Sequence, residues 1–387
     1  MRIIKYCKGC FMPSTRPRVS FDKDGFCNGC VYNRTRKEIT NWDEKKRELV
    51  QIIDSKKTKD ANATYDCVIG WSGGKDSSAV ALTLKKELGL NPLLVTFAPL
   101  IPTDEGEFNR RSLLEYGFDS VLISPSLRVS KYLSRRFLIE RGDPKIHWNA
   151  GINAATINIA SALNIPTVFY SEHGESEYGG RVLNEASVRE RSIDEILENQ
   201  IGDDPLNWKD ELISQRDLEP YVISQKKMSK LQILYFAHFF PWDIVNNLDL
   251  VESTVSFQRN RRGRTYGTFT DFDSLDDVMD DLYYYMQYIK FGFGRCLRDC
   301  ARQIQRGRLS REAAYEYIKE FDGEFPEESI DSIISFLEIS RQDLIKIIDV
   351  HRRSDIWKRE NKGWQIHSPL RLENVSNLGL DGYQIKS

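Results

Sequence analysis

Two groups of residues in this chain have the types and spacing to do chemistry. The first is WSGGKDSS, residues 71–78, set between the apolar run YDCVIG and the helical pattern SSAVALTLKKELG that Gly89 closes. A strand that passes through a glycine turn into a helix N-terminus aims backbone N–H groups and the positive end of the helix dipole at one point, where an anion is stabilised. Gly73 and Gly74 allow close backbone approach, and the hydroxyls of Ser72, Ser77 and Ser78 can donate. Lys75 supplies a point charge, and Asp76 is suited either to cap the helix or to orient Mg2+. The expected chemistry is the gripping of phosphate. The pattern G-x-x-x-x-G-K-[ST] cannot be laid onto SGGKDSS, so the loop is not a Walker A loop.

The second group is four cysteines in two knuckles, Cys7 and Cys10 in CKGC and Cys27 and Cys30 in CNGC, with sixteen residues between the pairs. Each C-x-x-C turns two thiolates toward one point, and Gly9 and Gly29 permit the tight backbone. Four thiolates close a tetrahedral Zn2+ site and leave no open position, so the metal is expected to be structural. An iron–sulfur cluster and two unrelated reduced pairs are the competing interpretations. Cys296 and Cys300, four apart on an expected helix, and Cys67, inside a strand, read as buried small residues.

A third stretch, SEHGESEYGG, carries Glu172, His173, Glu175 and Glu177 directly after a strand. Three carboxylates and an imidazole there could bind Mg2+, orient ammonia or act as a base, and a solvated acidic loop is the plain alternative. FQRNRRGRTYGTF gathers Arg259, Arg261, Arg262 and Arg264 into a local basic patch. Arg262 and Arg264 there, with Arg295 in KFGFGR, are candidate ligands for a substrate diphosphate or carboxylate.

The elements that must position these residues follow an alternating order. YDCVIG, PLLVTFAP, SVLISPS and PTVFYSE read as strands, separated by helical patterns, which predicts an α/β doubly wound parallel sheet with ligands at its C-terminal strand edges. NWDEKKRELVQIID reads as a helix and SKKTKDANAT as a polar linker. From about Leu231 helices are expected: one over SLDDVMDDLYYYMQYIKFGFGR with Ser274 as N-cap, and two more in LSREAAYEYIKEFDG and ISRQDLIKIIDVHRR, the last opening with a capping box from Ser340 to Asp343. The resulting organisation is a zinc ribbon over 1–40, a helix and linker over 41–64, a nucleotide domain over 65–230 and a mainly helical region over 231–387.

With 55 lysines and arginines against 57 aspartates and glutamates, the net charge of −2 offers no general attraction for a nucleic acid. No apolar run approaches the roughly 18 residues that span a bilayer, and no membrane partner is expected. MRIIKYCKGC meets cysteine before a signal-peptide core could form, so a cytoplasmic protein is expected.

The loop resembles the PP-loop of the ATP pyrophosphatases, S-G-G-x-D-S, which that superfamily uses to hold the β and γ phosphates of ATP. Such a grip leaves the α phosphorus open to attack, so a substrate oxygen becomes adenylated and pyrophosphate departs. The superfamily resemblance also implies adenine near Thr96 and Phe97. More specifically, CKGC and CNGC, WSGGKDSS, Glu172 followed by EYGG, YMQYIKFGFGR and IQRGRLSREAA together resemble the N-acetyl sugar amidotransferases of lipopolysaccharide O-antigen and nonulosonic acid biosynthesis, the WbpG-type family. That resemblance implies ATP-dependent conversion of an acetamido group on a nucleotide-linked sugar to an acetamidino group, with residues 72–78 on pyrophosphate, Lys75 neutralising its charge, and Glu172 or Glu177 binding Mg2+ or helping to deprotonate the nucleophile. It implies too that ammonia comes from a separate glutaminase with a barrel-shaped partner. Two other classes remain open on the residues: a tRNA-modifying PP-loop enzyme of thiolation or lysidine type, and a nucleotide-binding scaffold without turnover.

Overall fold

The computed structural model of the protein describes residues 3–39, 41–56, 64–182, 184, 186–361 and 363–371. Most of the expected polar linker, residues 57–63, lies outside them. Five short apolar segments form one parallel sheet: β1 Cys67–Gly70, β2 Pro92–Phe97, β3 Asp119–Ile123, β4 Thr167–Tyr170 and β5 Gln232–Tyr235, in spatial order β3-β2-β1-β4-β5. Alternate residues feed opposite faces. Val68, Leu93, Val95 and Val168 enter one core with Phe137, Ala150 and Ile157, whereas Ile69, Leu94 and Phe169 enter the other with Val80, Leu84 and Leu113. With helices on both faces, the central strands are apolar throughout, as a doubly wound sheet requires.

The chain leaves β1 for β2 and β3 on one side and returns to β4 and β5 on the other, so the strand order reverses between β1 and β4. A crevice opens at the C-terminal ends of these two strands, where WSGGKDSS follows β1 and Glu172 follows β4. β5 corrects the expected boundary at 230. The sheet takes in Gln232–Tyr235, which pairs with β4 from Thr167 to Tyr170, before the helical region begins.

The helical region contains Met279–Phe291, Arg295–Gln305, Arg311–Phe321, Ile330–Leu337 and Arg341–Val350, then an antiparallel hairpin of β6 Trp357–Glu360 and β7 Gly363–Ile366. Ser310 and Ser340 cap their helices, accepting from the backbone N–H of Ala313 at 3.2 Å and Asp343 at 3.1 Å. The Asp343 carboxylate accepts from the Ser340 hydroxyl at 2.6 Å, so the interaction joins the two side chains. Ser274 does not cap the first of these helices. It sits at φ +53°, and Asp277 organises the helix start by accepting from the N–H groups of Leu100 at 3.1 Å and of Ile101 and Met279 at 3.0 Å each. That carboxylate thereby fastens the helical region to the chain beyond β2. At the other end, the four knuckle cysteines share a core with Phe293, Leu297 and Ala301, and Phe11 packs with the buried Cys296 and Cys300. No helix among the described residues is long and apolar enough to cross a membrane.

The last residue of β2 packs against the Ile146–Ala162 helix, where a Cβ on Gly151 would stand 2.3 Å from the Phe97 ring. Gly151→Ala must displace that ring, and urea denaturation should register a loss of ~1–3 kcal/mol; an unchanged midpoint would contradict this packing.

Candidate active site

The phosphate loop is held from behind by side chains that sequence alone placed at the ligand. Thr96 Oγ1 donates to the Trp71 carbonyl at 2.7 Å, and the Trp71 indole N–H donates to Ser78 Oγ at 2.9 Å. Neither Thr96 nor Ser78 lines the cavity above the loop; both are spent on its shape. Ser72 Oγ accepts from Gly74 N–H at 3.2 Å, and Gly73 has φ +92° with its missing Cβ position 2.5 Å from Arg110 Cγ, so only glycine fits there. What faces the cavity, about 430 Å³ in volume, is Ser72, Gly74, Lys75, Asp76 and Ser77, with Phe97 as a wall.

Lys75 is 1% exposed. Its ammonium donates to Asp76 Oδ2 at 2.8 Å and to the carboxylate of Asp273, and lies 5.2 Å from the Phe272 ring centre. Burial disfavours the charge, but Asp273 and Asp76 outweigh burial and raise the pKa. Burial likewise works against the Asp273 carboxylate, yet Lys75, Arg302 and Arg295 hold it well below the usual carboxylate range. Asp76 Oδ1 accepts from Asn247 at 2.8 Å. Both Asp76 oxygens are engaged, by Lys75 and Asn247, while the second Asp273 oxygen is buried without a hydrogen-bond partner and is the carboxylate oxygen open to a hard cation such as Mg2+.

A second wall comes from a segment to which the sequence assigned no role. Lys145, Trp148 and Asn149, from GDPKIHWNAGI, line the cavity together with Asp276, Asp280, Tyr283 and Tyr284. Lys145 Nζ donates to Asp277 Oδ2 at 3.0 Å and to Asp280, and lies 4.0 Å above the Trp148 ring. Trp148 in turn donates to the Ala98 carbonyl at 3.0 Å. Burial and the neighbouring Asp280 charge push the Asp276 carboxyl up to about 7.

Of the acidic residues after β4, only Glu172 lines this cavity. Burial, then the Asp76 charge, raises its pKa, and the Tyr178 hydroxyl donates to it. Glu177 does not line the cavity: its two oxygens are taken by Arg36 at 2.7 Å and Arg306 at 2.9 Å. Glu175 is held by Arg18 through two bonds of 2.9 Å, and His173 stands 2.8 Å from Glu195. The basic patch does not line the cavity either. Arg264 is paired with Glu324 at 2.6 and 2.7 Å, and Arg262 with Glu328 at 2.7 Å on the rim of a separate cavity of about 240 Å³. Arg295, 1% exposed, stands behind the wall, donating to the Asp273 carbonyl at 2.8 Å and stacking 4.7 Å from Tyr284. The residues missed in the sequence are Asp273, Lys145, Asp276 and Asp280; the density of aspartates in FTDFDSLDDVMDD was the one visible signal of the three acidic ones, and Lys145 had none.

The four knuckle cysteines are buried with their sulfurs all within 4.8 Å of one another. Cys7 and Cys30 are 3.7 Å apart and Cys10 and Cys27 3.6 Å, close to the ~3.8 Å edge of a tetrahedron whose Zn–S bonds are ~2.3 Å. Backbone N–H groups of Gly9 and Cys27 point at Cys7 Sγ from 3.3 and 3.1 Å, as they would at a thiolate. The set fits zinc.

Residues 266–371 match the family model described as LPS biosynthesis protein WbpG-like, C-terminal domain. This region is similar to that C-terminal domain. The matched region supplies Asp273, Asp276, Asp280, Tyr283 and Tyr284 to the cavity and Arg295 behind it. No curated protein matches the chain. A solved structure described as a predicted subunit of tRNA methyltransferase from Methanocaldococcus jannaschii is 14% identical, with a TM-score of 0.23, over 46% of this chain and 93% of that one. A likeness that weak carries no argument.

The Asp276 carboxyl yields a pH signature. Folded, it keeps its proton up to about 7; unfolded, it releases it near ~3.9. Between these values the folded state binds more protons, so stability falls as pH rises. Urea denaturation at pH 5 and pH 8 should show the wild type losing more stability between them than Asp276→Asn; equal losses would contradict the assignment.

Proposed function

We propose that the protein is an ATP-dependent amidotransferase acting on a nucleotide-linked N-acetyl sugar in surface polysaccharide biosynthesis. One observation carries this reading: the loop after β1 and the region that matches the WbpG-like model line a single cavity and are joined by the Lys75–Asp273 ion pair. The family description supports lipopolysaccharide biosynthesis, and the loop supports use of a nucleoside triphosphate.

In this mechanism the loop N–H groups and Lys75 hold the β and γ phosphates of ATP, leaving the α phosphorus toward the middle of the cavity. An amide carbonyl is a poor electrophile and its oxygen a poor leaving group. Attack of the acetamido oxygen on the α phosphorus expels pyrophosphate and converts that oxygen into part of AMP. Ammonia then adds to the activated carbon, a proton is lost, and AMP leaves with the oxygen, giving the amidine. Glu172, whose pKa is raised and which lies at the cavity, takes the proton. Asp76 and Asp273 would hold Mg2+, whose charge neutralises phosphate oxygens. The sugar occupies the far wall, against Trp148, with Asn149, Asp276 and Asp280 as partners for its hydroxyl and amide groups. Ammonia is delivered by a separate glutaminase and a barrel-type partner; a nucleic acid is disfavoured by the net charge of −2.

The test is purified protein with Mg-ATP, ammonium and a panel of UDP- and CMP-linked diacetamido sugars. We expect sugar-dependent release of AMP and pyrophosphate in equal amounts, a product with NH in place of O, and at least ~100-fold lower kcat/KM in Lys75→Met. AMP release stimulated by bulk tRNA and by no sugar would replace this reading with the tRNA-modifying one.

A further inference from the structure

The segment that carries Glu172 is fastened to the four-cysteine module at every turn. Arg18 holds Glu175 through two bonds of 2.9 Å, and Arg36 holds Glu177 at 2.7 Å. Arg16 donates to the Gly179 carbonyl at 2.7 Å, and the Asn28 side chain donates to that of Gly180. The backbones touch as well, for a Cβ on Gly29 would lie 2.9 Å from Gly179 N. The helix Gly174–Tyr178 has a single turn and a short cap, too little to fix its own position. Its last residue, Tyr178, donates to Glu172 and is covered by the Arg302 guanidinium at 3.8 Å.

We propose that the cysteine module is a positioning element of the active site: Arg18 and Arg36, presented by the metal-folded knuckles, hold residues 172–180 so that Tyr178 sets the Glu172 carboxyl at the cavity. The catalytic part of this inference rests on the role proposed for Glu172; the positioning part does not. Glu175 and Glu177 act as the latch. A four-thiolate site has no catalytic position of its own, yet its loss would reach the reaction, because without metal the module has too little core to keep its arginines in register.

The test uses the full zinc-loaded chain and Arg36→Met, with Arg36→Lys as the conservative variant. Zinc content is measured first, and hydrogen exchange then compares residues 172–180 with the Lys75–Leu88 helix. We expect Arg36→Met to keep its zinc, to exchange at least ~5-fold faster over 172–180, and to leave the Lys75–Leu88 helix unchanged, with Arg36→Lys intermediate. Turnover of Arg36→Met should fall, and its pH profile should move toward the ordinary carboxylate value as Glu172 becomes solvated, a shift that general destabilisation would not produce. Unchanged exchange over 172–180 in zinc-retaining Arg36→Met would overturn the proposal. Since exchange needs no substrate, that result is separable from failure of the proposed reaction.

Discussion

A buried lysine ammonium is the constraint on which the site depends. Lys75 emerges at the helix N-terminus that follows β1, is almost fully removed from solvent, and would be intolerable there as a bare charge. Asp76 supplies one partner from the loop itself, and Asp273 supplies the other from 198 residues along the chain. The sheet and the region that matches the WbpG-like model are thus joined by charge at the loop that follows β1. Arg295 supports the arrangement by holding the Asp273 carbonyl. Truncating one partner of such a pair typically costs ~3–5 kcal/mol, because the other charge stays buried and unpaired.

The same logic repeats at the opposite wall. Lys145 is buried and paired with Asp277 and Asp280, and Asp277 also takes three backbone N–H groups, so the two domains are held together by ionic contacts on both sides of one cavity. Burial, then the Asp280 charge, keeps a proton on Asp276 to about 7, whereas at Asp273 burial is overcome by Lys75 and two arginines. Two aspartates three residues apart are driven in opposite directions by what each faces.

Features with a local cause were legible in the sequence. The phosphate loop announces itself through a strand, a glycine pair and a helix start within a dozen residues, and the cysteine knuckles through spacing alone. Glu172 was visible by its place after β4, but nothing local separated it from Glu177, whose partner Arg36 lies 141 residues upstream. Arg262 and Arg264 looked like anion ligands because their neutralising partners, Glu328 and Glu324, are more than fifty residues away in sequence. β5, at four residues, is too short to show a period, and Asp277 displaced Ser274 as organiser of its helix through contacts beyond β2. Long-range pairing governs Glu177, Arg262, Arg264 and Asp277.

The central claim is that one cavity transfers the acetamido oxygen to the α phosphorus of ATP. Its most direct test is a nucleotide-linked sugar carrying 18O in the acetamido carbonyl, turned over with Mg-ATP and ammonium, with mass analysis of every product. The account predicts that the label appears in the AMP phosphate and is absent from both pyrophosphate and amidino sugar. Label recovered in inorganic phosphate alongside ADP, or retained in the sugar while ATP is consumed, would contradict it.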